Sequence, residues 1–280
     1  MSKISKINYH IETEKVNMNI ALLTDLHYYS YKDIKKLNRV TEGLKNEKID
    51  YICIVGDFID EAVIKDMDCF ITWLKSLSTL APTIISIGGH DIVKKIKKKK
   101  LREYYYNEEL LSKMKKIKNV TILDNEDLVV GDVRFIGLTL PLDYYYKYRE
   151  STLYFKKFVN NKFDKYEDKY NILLSHTPVP LTRLKSYEDI KLLQNIQLVL
   201  SGHTHAGIVP KFMRGIMGGR GIFSPHHGKM FPKDSYGLIQ REKTKIVISS
   251  GVTKASHCNP FRFVDRFFDN EITFINLEKK

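Results

Sequence analysis

The sequence predicts an α/β protein, a mixed sheet or two packed sheets flanked by helices. Three observations predict it. Compact apolar runs of strand length alternate with stretches of helical periodicity through the first ninety residues. Short alternating segments separated by "DNED" and "GD" turns follow near residues 120–138 and read as antiparallel strands. The strand pattern then returns four times after residue 170. The 280 residues leave ample room for a buried core, and 43% hydrophobic against 28% charged residues is the balance of a globular chain.

Taken in order, "MNIALLTD" (18–25) is a buried strand, and residues 32–46 place Ile34, Leu37, Val40 and Leu44 at helical spacing. "DYICIVGD" (50–57) is a second strand, with Cys53 a small core residue. Residues 62–80 set Val63, Met67, Phe70, Ile71, Leu74 and Leu77 on one helical face, with Asp60 a candidate cap for that helix. "TIISIGG" (83–89) is a third strand. The lysine run 94–102 leads into an expected helix at 101–116, and the tyrosine-rich stretch 142–170 reads as a helical excursion. "YNILLSH" (170–176), "IQLVLSGH" (196–203), "TKIVISSG" (244–251) and "EITFINLE" (271–278) complete the strands.

Strand–helix–strand–helix–strand is the signature of a parallel sheet, whose ligands gather beyond the carboxyl ends of the strands. Five strands here end on acidic or imidazole residues. These are Asp25 and His27 in "LLTDLH", Asp57 and Asp60 in "IVGDFID", His90 and Asp91 in "IGGHD", His176 in "LLSH", and His203 and His205 in "LSGHTH". Singly, each has a bland reading as a turn former or hydrogen-bonded loop residue. Together they form a pool of carboxylates and neutral imidazoles, the donor set of Mn, Fe or Zn.

The ordered motifs D-x-H, G-D-x-x-D, G-G-H-D, H and G-H-T-H resemble the calcineurin-like metallophosphoesterase superfamily, whose pattern is D-x-H, G-D, G-N-H-[DE], H and G-H-x-H. The likeness spans residues 25–205, and "SGHTHAG" further resembles a bacterial subgroup similar to YkuE. The resemblance implies a four-layer sandwich of two mixed β-sheets between helices, with residues 1–280 as a single domain. It implies two divalent ions, with Mn favoured over Fe and Zn. Asp25, His27 and His205 would hold one ion, His176 and His203 the other, and Asp57 would bridge them. It also implies hydrolysis of a phosphoester, phosphodiester or pyrophosphate by hydroxide generated between the ions. His90 would touch the phosphate and protonate the leaving oxygen, with Asp91 holding its ring.

One position departs from the family pattern. Gly89 stands where the family has an Asn that ligates the second ion. Water could fill that position, a side chain such as Asn125, Asp60 or Asn259 could fill it, or the second ion could be lost. The last outcome would give the rival reading, a weak or inactive scaffold that binds a partner or membrane.

The charge of +13, from 46 Lys and Arg against 33 Asp and Glu, favours anionic partners, and a lysine-rich solvated surface is the plain alternative. The expected partners are a phosphorylated small molecule or lipid, with an anionic membrane surface as a further candidate. Nucleic acid is disfavoured, because no stacking motif is present. Lys94, Lys95 and Lys97–Lys100 follow the active-site turn and could steer anions. Residues 207–233 mix basic, apolar and glycine residues and read as a loop or hairpin insertion near the site, with His226 and His227 as candidate substrate contacts. His10 and His257 stand alone. Three cysteines without a pairing pattern suit a reducing compartment. No apolar run approaches a membrane span, so the expected location is the cytoplasm, with the inner face of the membrane as an extension of that reading.

Overall fold

The computed structural model describes residues 4–96, 101–145, 148–162, 168–178, 193–224, 229–253 and 270–280. Its strands are β1 (Ser5–Thr13), β2 (Met18–Leu23), β3 (Tyr51–Val55), β4 (Thr83–Ser86), β5 (Val93–Ile96), β6 (Leu101–Tyr104), β7 (Val120–Leu123), β8 (Asp127–Val130) and β9 (Val133–Leu138). They continue with β10 (Tyr170–Ser175), β11 (Leu198–Ser201), β12 (Phe223–Ser224), β13 (Lys229–Met230), β14 (Gly237–Arg241), β15 (Thr244–Ile248) and β16 (Glu271–Lys279). The helices are α1 (Ile34–Leu44), α2 (Met67–Leu77), α3 (Glu108–Lys115), α4 (Tyr148–Lys162) and α5 (Lys211–Met217).

Two six-stranded mixed sheets result, in the orders β1-β16-β2-β3-β4-β7 and β14-β15-β11-β10-β9-β8. Side chains alternate across each strand, so one residue set faces the other sheet and the next faces helices. Leu22, Cys53, Val55 and Ile84 of the first sheet meet Phe135, Ile172, Leu174, Leu200 and Val247 of the second in one apolar cluster. Their neighbours Ala21, Leu23, Ile52, Ile54 and Ile85 join Leu37, Val40, Phe70, Leu74, Leu110 and Met114 of α1–α3 in another. Ile136, Leu138 and Leu173 belong to that same cluster, with Phe155 and Val159 of α4. Burial on both faces is why these strands read as unbroken apolar runs.

Several elements differ from expectation. The helix expected over 62–80 forms only over 67–77, and Val63 is exposed. The backbone before it is committed elsewhere: Asp60 N–H donates to Tyr28 O, Ala62 N–H to Val93 O and Lys65 N–H to Tyr29 O. Asp60 is therefore not a helix cap. The helix expected at 101–116 begins only at Glu108, where Asn107 caps it by accepting from Leu110 N–H at 3.0 Å. Residues 101–104 instead pair antiparallel with β5. Strand β7 does not join the β8–β9 hairpin; it lies parallel to β4 in the first sheet. Strand β1, with its exposed, polar alternation, adds an edge that the apolar-run criterion missed. Lys97–Lys100 lie outside the described residues.

Candidate metal centre

The parallel strands β2, β3, β4, β10 and β11 deliver their carboxyl ends to one edge of the sandwich. The chain after β2 stays in register with the chain after β3: His27 N–H donates to Asp57 O at 3.0 Å and Tyr28 N–H to Phe58 O at 3.1 Å. In these turns Asp25, His27, Asp57, His203 and His205 all adopt left-handed backbone, with φ from 44° to 70°. That conformation costs a non-glycine residue about 1–3 kcal/mol and persists only where its surroundings enforce it. Here they do. Asp25 Oδ2 accepts from His203 N–H at 3.1 Å, Asp57 Oδ1 accepts from His90 N–H at 2.8 Å, and Thr253 N–H donates to Asp25 O at 3.0 Å. Gly88 is required by close approach, because a Cβ there would overlap the Asp57 carboxylate.

The side chains converge in three overlapping groups that could hold metal ions: Asp25–His27–His205, His27–Asp57–His90 and Asp57–His176–His203, each with its ligand atoms within 4.8 Å of one another. Asp25, His27, Asp57, His176, His203 and His205 are each at most 5% exposed. So much buried polarity is costly unless charge is compensated. Asp25 Oδ1 accepts no hydrogen bond among the described residues, yet lies 3.6 Å from His205 Nε2 and 3.9 Å from the Nε2 atoms of His27 and His176. An unsatisfied carboxylate oxygen ringed by imidazole nitrogens fits a cation.

Two imidazoles have their tautomers fixed by carbonyls, which only accept. His176 Nδ1 donates to Val55 O at 2.9 Å, presenting Nε2 to Asp57 Oδ2 at 2.9 Å. His90 Nδ1 donates to Asp60 O at 2.6 Å, which leaves Nε2 as the nitrogen for chemistry. Burial opposes charge at Asp57, but the surrounding His176, His90 and His27 outweigh it and hold the carboxyl well below the usual range. For His176, burial is likewise outweighed by Asp57 and Asp25, and the ring is pushed up to about 10. For His90, burial is outweighed by Asp57 and Asp60, which raise it above the ordinary imidazole range.

Asp91 does not take the role expected of it. Its carboxylate does not hold the His90 ring. Oδ2 accepts from Asp57 N–H at 2.8 Å and Gly88 N–H at 2.7 Å, and Oδ1 accepts from Ile59 N–H at 3.0 Å. Asp91 shapes the backbone beneath the site, and Asp60, its Oδ1 3.5 Å from His90 Nδ1 and 3.8 Å from His27 Nδ1, is the ring's partner.

Gly89 is also resolved in part. A Cβ there would stand 3.2 Å from the ring of Tyr145, which is buried and donates its hydroxyl to Ile87 O at 3.2 Å. That ring lies 6.2 Å from His176 and 6.0 Å from His203 between centroids. Asn125 is not at the site: its Oδ1 accepts from Thr139 N–H and its Nδ2 donates to Tyr154 OH. His10 sits at the surface, 3.3 Å from Glu278. Asn259, His226, His227 and His257 lie outside the described residues. Lys36, one position off the apolar stripe of α1, carries no signal in the sequence that marks it as a site residue. Its Nζ donates to Leu26 O at 2.6 Å and Thr253 Oγ1 at 2.9 Å, pinning the Asp25–His27 turn, and burial pushes it down to about 8.

Residues 18–207 match the family model for calcineurin-like phosphoesterases. The chain belongs to this family. It is 30% identical over 281 residues to an uncharacterized metallophosphoesterase of Campylobacter jejuni, covering 99% of this chain and 64% of that protein. It is 28% identical over 211 residues to one from Helicobacter pylori strain 26695, covering 75% and 50%. The chain thus spans about half to two thirds of the length of these relatives. Two solved structures are similar. A purple acid phosphatase from yellow lupin seeds has 15% identity, a TM-score of 0.41 and coverage of 69% and 38%. A dimetal phosphatase from Danio rerio has 10% identity, a TM-score of 0.43 and coverage of 84% and 87%.

Proposed function

We propose that this chain hydrolyses a phosphomonoester, phosphodiester or pyrophosphate at a dinuclear centre in which Asp57 is shared. The observation that carries this reading is the overlap of the clusters: Asp57 belongs to one group with His27 and His90 and to another with His176 and His203, and His27 also belongs to the group of Asp25 and His205. Asp25, His27, His205 and Asp57 would hold one ion, and His176, His203 and Asp57 the other. The mixed carboxylate and imidazole donors suit Mn, Fe or Zn, and Mn is the ion to load first. When bound, such ions supply a water-derived nucleophile at neutral pH and positive charge opposite the phosphoryl oxygens.

The chain's own residues do the rest. Asp25 and Asp57 bring the negative charge that retains cations. Val55 O and Asp60 O orient the His176 and His90 rings. His90, its ring oriented by Asp60 O with Nε2 left for chemistry, is placed to deliver a proton to the leaving oxygen. Asp91 and Gly88 keep the Asp57 and His90 backbones where this transfer needs them.

The reading extends to a single domain of the YkuE-like subgroup, a likeness that rests on "SGHTHAG". A cytoplasmic location is part of the proposal, supported by cysteines without a pairing pattern. No described helix is long and apolar enough to cross a membrane. The test is turnover of an aryl phosphomonoester and an aryl phosphodiester in Mn²⁺. Activity is expected to vanish with chelator and to fall about 10²–10⁴-fold in His90→Ala. Turnover unaffected by chelator or by that substitution would overturn the reading.

A further inference from the structure

Large apolar side chains stand in water along the segment that follows the last histidine motif. Phe212 is 69% exposed, Ile216 88%, Met230 60% and Phe231 58%. Phe212 and Ile216 are one turn apart and so share a face of α5, a helix with no buried residue. The helix half-buries Met213 and Met217, and that packing does not account for the exposure of Phe212 and Ile216.

Along this segment the sequence carries charge of one sign. From His205 through Lys233 the sequence holds Lys211, Arg214, Arg220, Lys229 and Lys233 and no Asp or Glu. Lys211, Arg220 and Lys233 are exposed. The next acid, Asp234, is paired with Arg241 at 2.6 Å, and the buried Glu271 faces Arg214.

The described residues of this segment are also tied to the fold. Ile222 N–H donates to Gly207 O at 2.8 Å, Gly221 N–H to Pro232 O at 2.8 Å and Phe231 N–H to Ile222 O at 3.0 Å. Gly207 and Gly221 touch so closely that a Cβ on Gly207 would overlap the Gly221 backbone. Gly207 is two residues from His205, and Thr204, between the two site histidines, donates its hydroxyl to Ser235 O at 2.6 Å. The exposed residues are thus tied to the turn that carries His203 and His205.

We infer that residues 207–224 and 229–233 form a docking surface for an anionic lipid bilayer. Phe, Ile and Met enter the boundary between headgroups and acyl chains, while Lys and Arg meet lipid phosphates. The net charge of +13 for the whole chain adds attraction over longer range. Docking places the turn of His203 and His205 close to the bilayer, so the phosphate within reach is that of a lipid headgroup. That consequence rests on the hydrolase reading; the docking itself does not.

The test is co-sedimentation of the full chain with vesicles of phosphatidylcholine alone, or of equal parts phosphatidylcholine and phosphatidylglycerol. Binding is expected only to the anionic vesicles and weakens as salt rises. Phe212→Ser with Ile216→Ser should lower the partition roughly tenfold or more. Met230→Ser with Phe231→Ser should act in the same direction, and Arg220→Glu with Lys233→Glu should remove the preference for anionic vesicles. Absence of binding, or binding untouched by all three double variants, overturns the proposal. So does a shift from dimer to monomer in sedimentation velocity of the serine variants without vesicle binding by the parent, which would make the patch a contact between copies of this chain. Vesicle binding is read in chelator, without turnover, so failure of the hydrolase reading leaves this result unchanged.

Discussion

The two halves of the metal centre share Asp57 and differ in what surrounds them. Around Asp25, His27 and His205 further polar groups crowd in: Asp60 Oδ1 is 3.8 Å from His27 Nδ1, and the His90 ring meets His27 edge-on at 4.7 Å. Around His176 and His203 the surroundings turn aromatic. The Tyr145 ring lies about 6 Å from both imidazoles, over a glycine, with its hydroxyl already committed to Ile87 O. On the proposed reading a cation in the first half would meet Asp25, His27, His205 and Asp57; in the second it would meet Asp57, His176 and His203, with the Tyr145 ring beyond them. Fewer charged donors hold an ion less tightly, so on this reading the centre would be asymmetric and its second ion the weaker one.

The strongest way to break that comparison is Asp57→Asn, which removes the carboxylate both halves use. Elemental analysis should then find neither ion retained after desalting, with turnover reduced about 10²–10³-fold or more. One ion kept at full affinity would mean that the halves are independent. Next come His205→Ala and His203→Ala. Each should weaken its own ion about 10–100-fold or more in a calorimetric titration, while the other ion stays. Equal loss of both ions from either variant would erase the distinction between halves.

Gly89→Asn sharpens the difference. Alone it must displace the Tyr145 ring, so it should cost about 1–3 kcal/mol of stability without tightening the second ion. Combined with Tyr145→Ala, which opens room, the added amide should tighten it. Tightening by Gly89→Asn alone would show that the ring does not wall the site.

The smallest expected effect concerns pH in the ion-free protein. His176 is raised from 6.5 to about 10 by its carboxylate neighbours. The native state therefore keeps a proton that the unfolded chain releases, and stability from this group is full below about 6.5 and lost as pH rises through about 10. The thermal midpoint should fall by a few °C over that window. Bound metal, which requires the neutral ring, should abolish the trend.

Much of this was legible in the sequence because strands buried on both faces announce themselves as apolar runs, and polar residues at their ends are conspicuous. "LLTDLH", "IVGDFID", "IGGHD", "LLSH" and "LSGHTH" each end a buried strand, and the structure brings their Asp25, His27, Asp57, His90, His176, His203 and His205 together. What was lost is what crosses between segments. Asp91 looked like the partner of its neighbour His90, but its oxygens are taken by three backbone N–H groups, two of them from the neighbouring strand-end turn. Asp60 looked like a helix cap because the apolar period runs back to Val63; backbone bonds to Tyr28 and Val93 keep that stretch from coiling. Tyr145 covers Gly89 from more than fifty residues away, in a tyrosine run that carries no sign of which ring turns inward. Strand β1 escaped because an edge strand alternates exposed and half-buried residues and lacks an apolar run.

The central claim is a two-ion centre joined by Asp57, and its most direct test is the Mn²⁺ content of the reconstituted, desalted protein as chelator is titrated in. Two ions per chain should leave in two steps, the first step absent in His203→Ala. One ion or none per chain without chelator, or two that leave in a single step unchanged by His203→Ala, would contradict it.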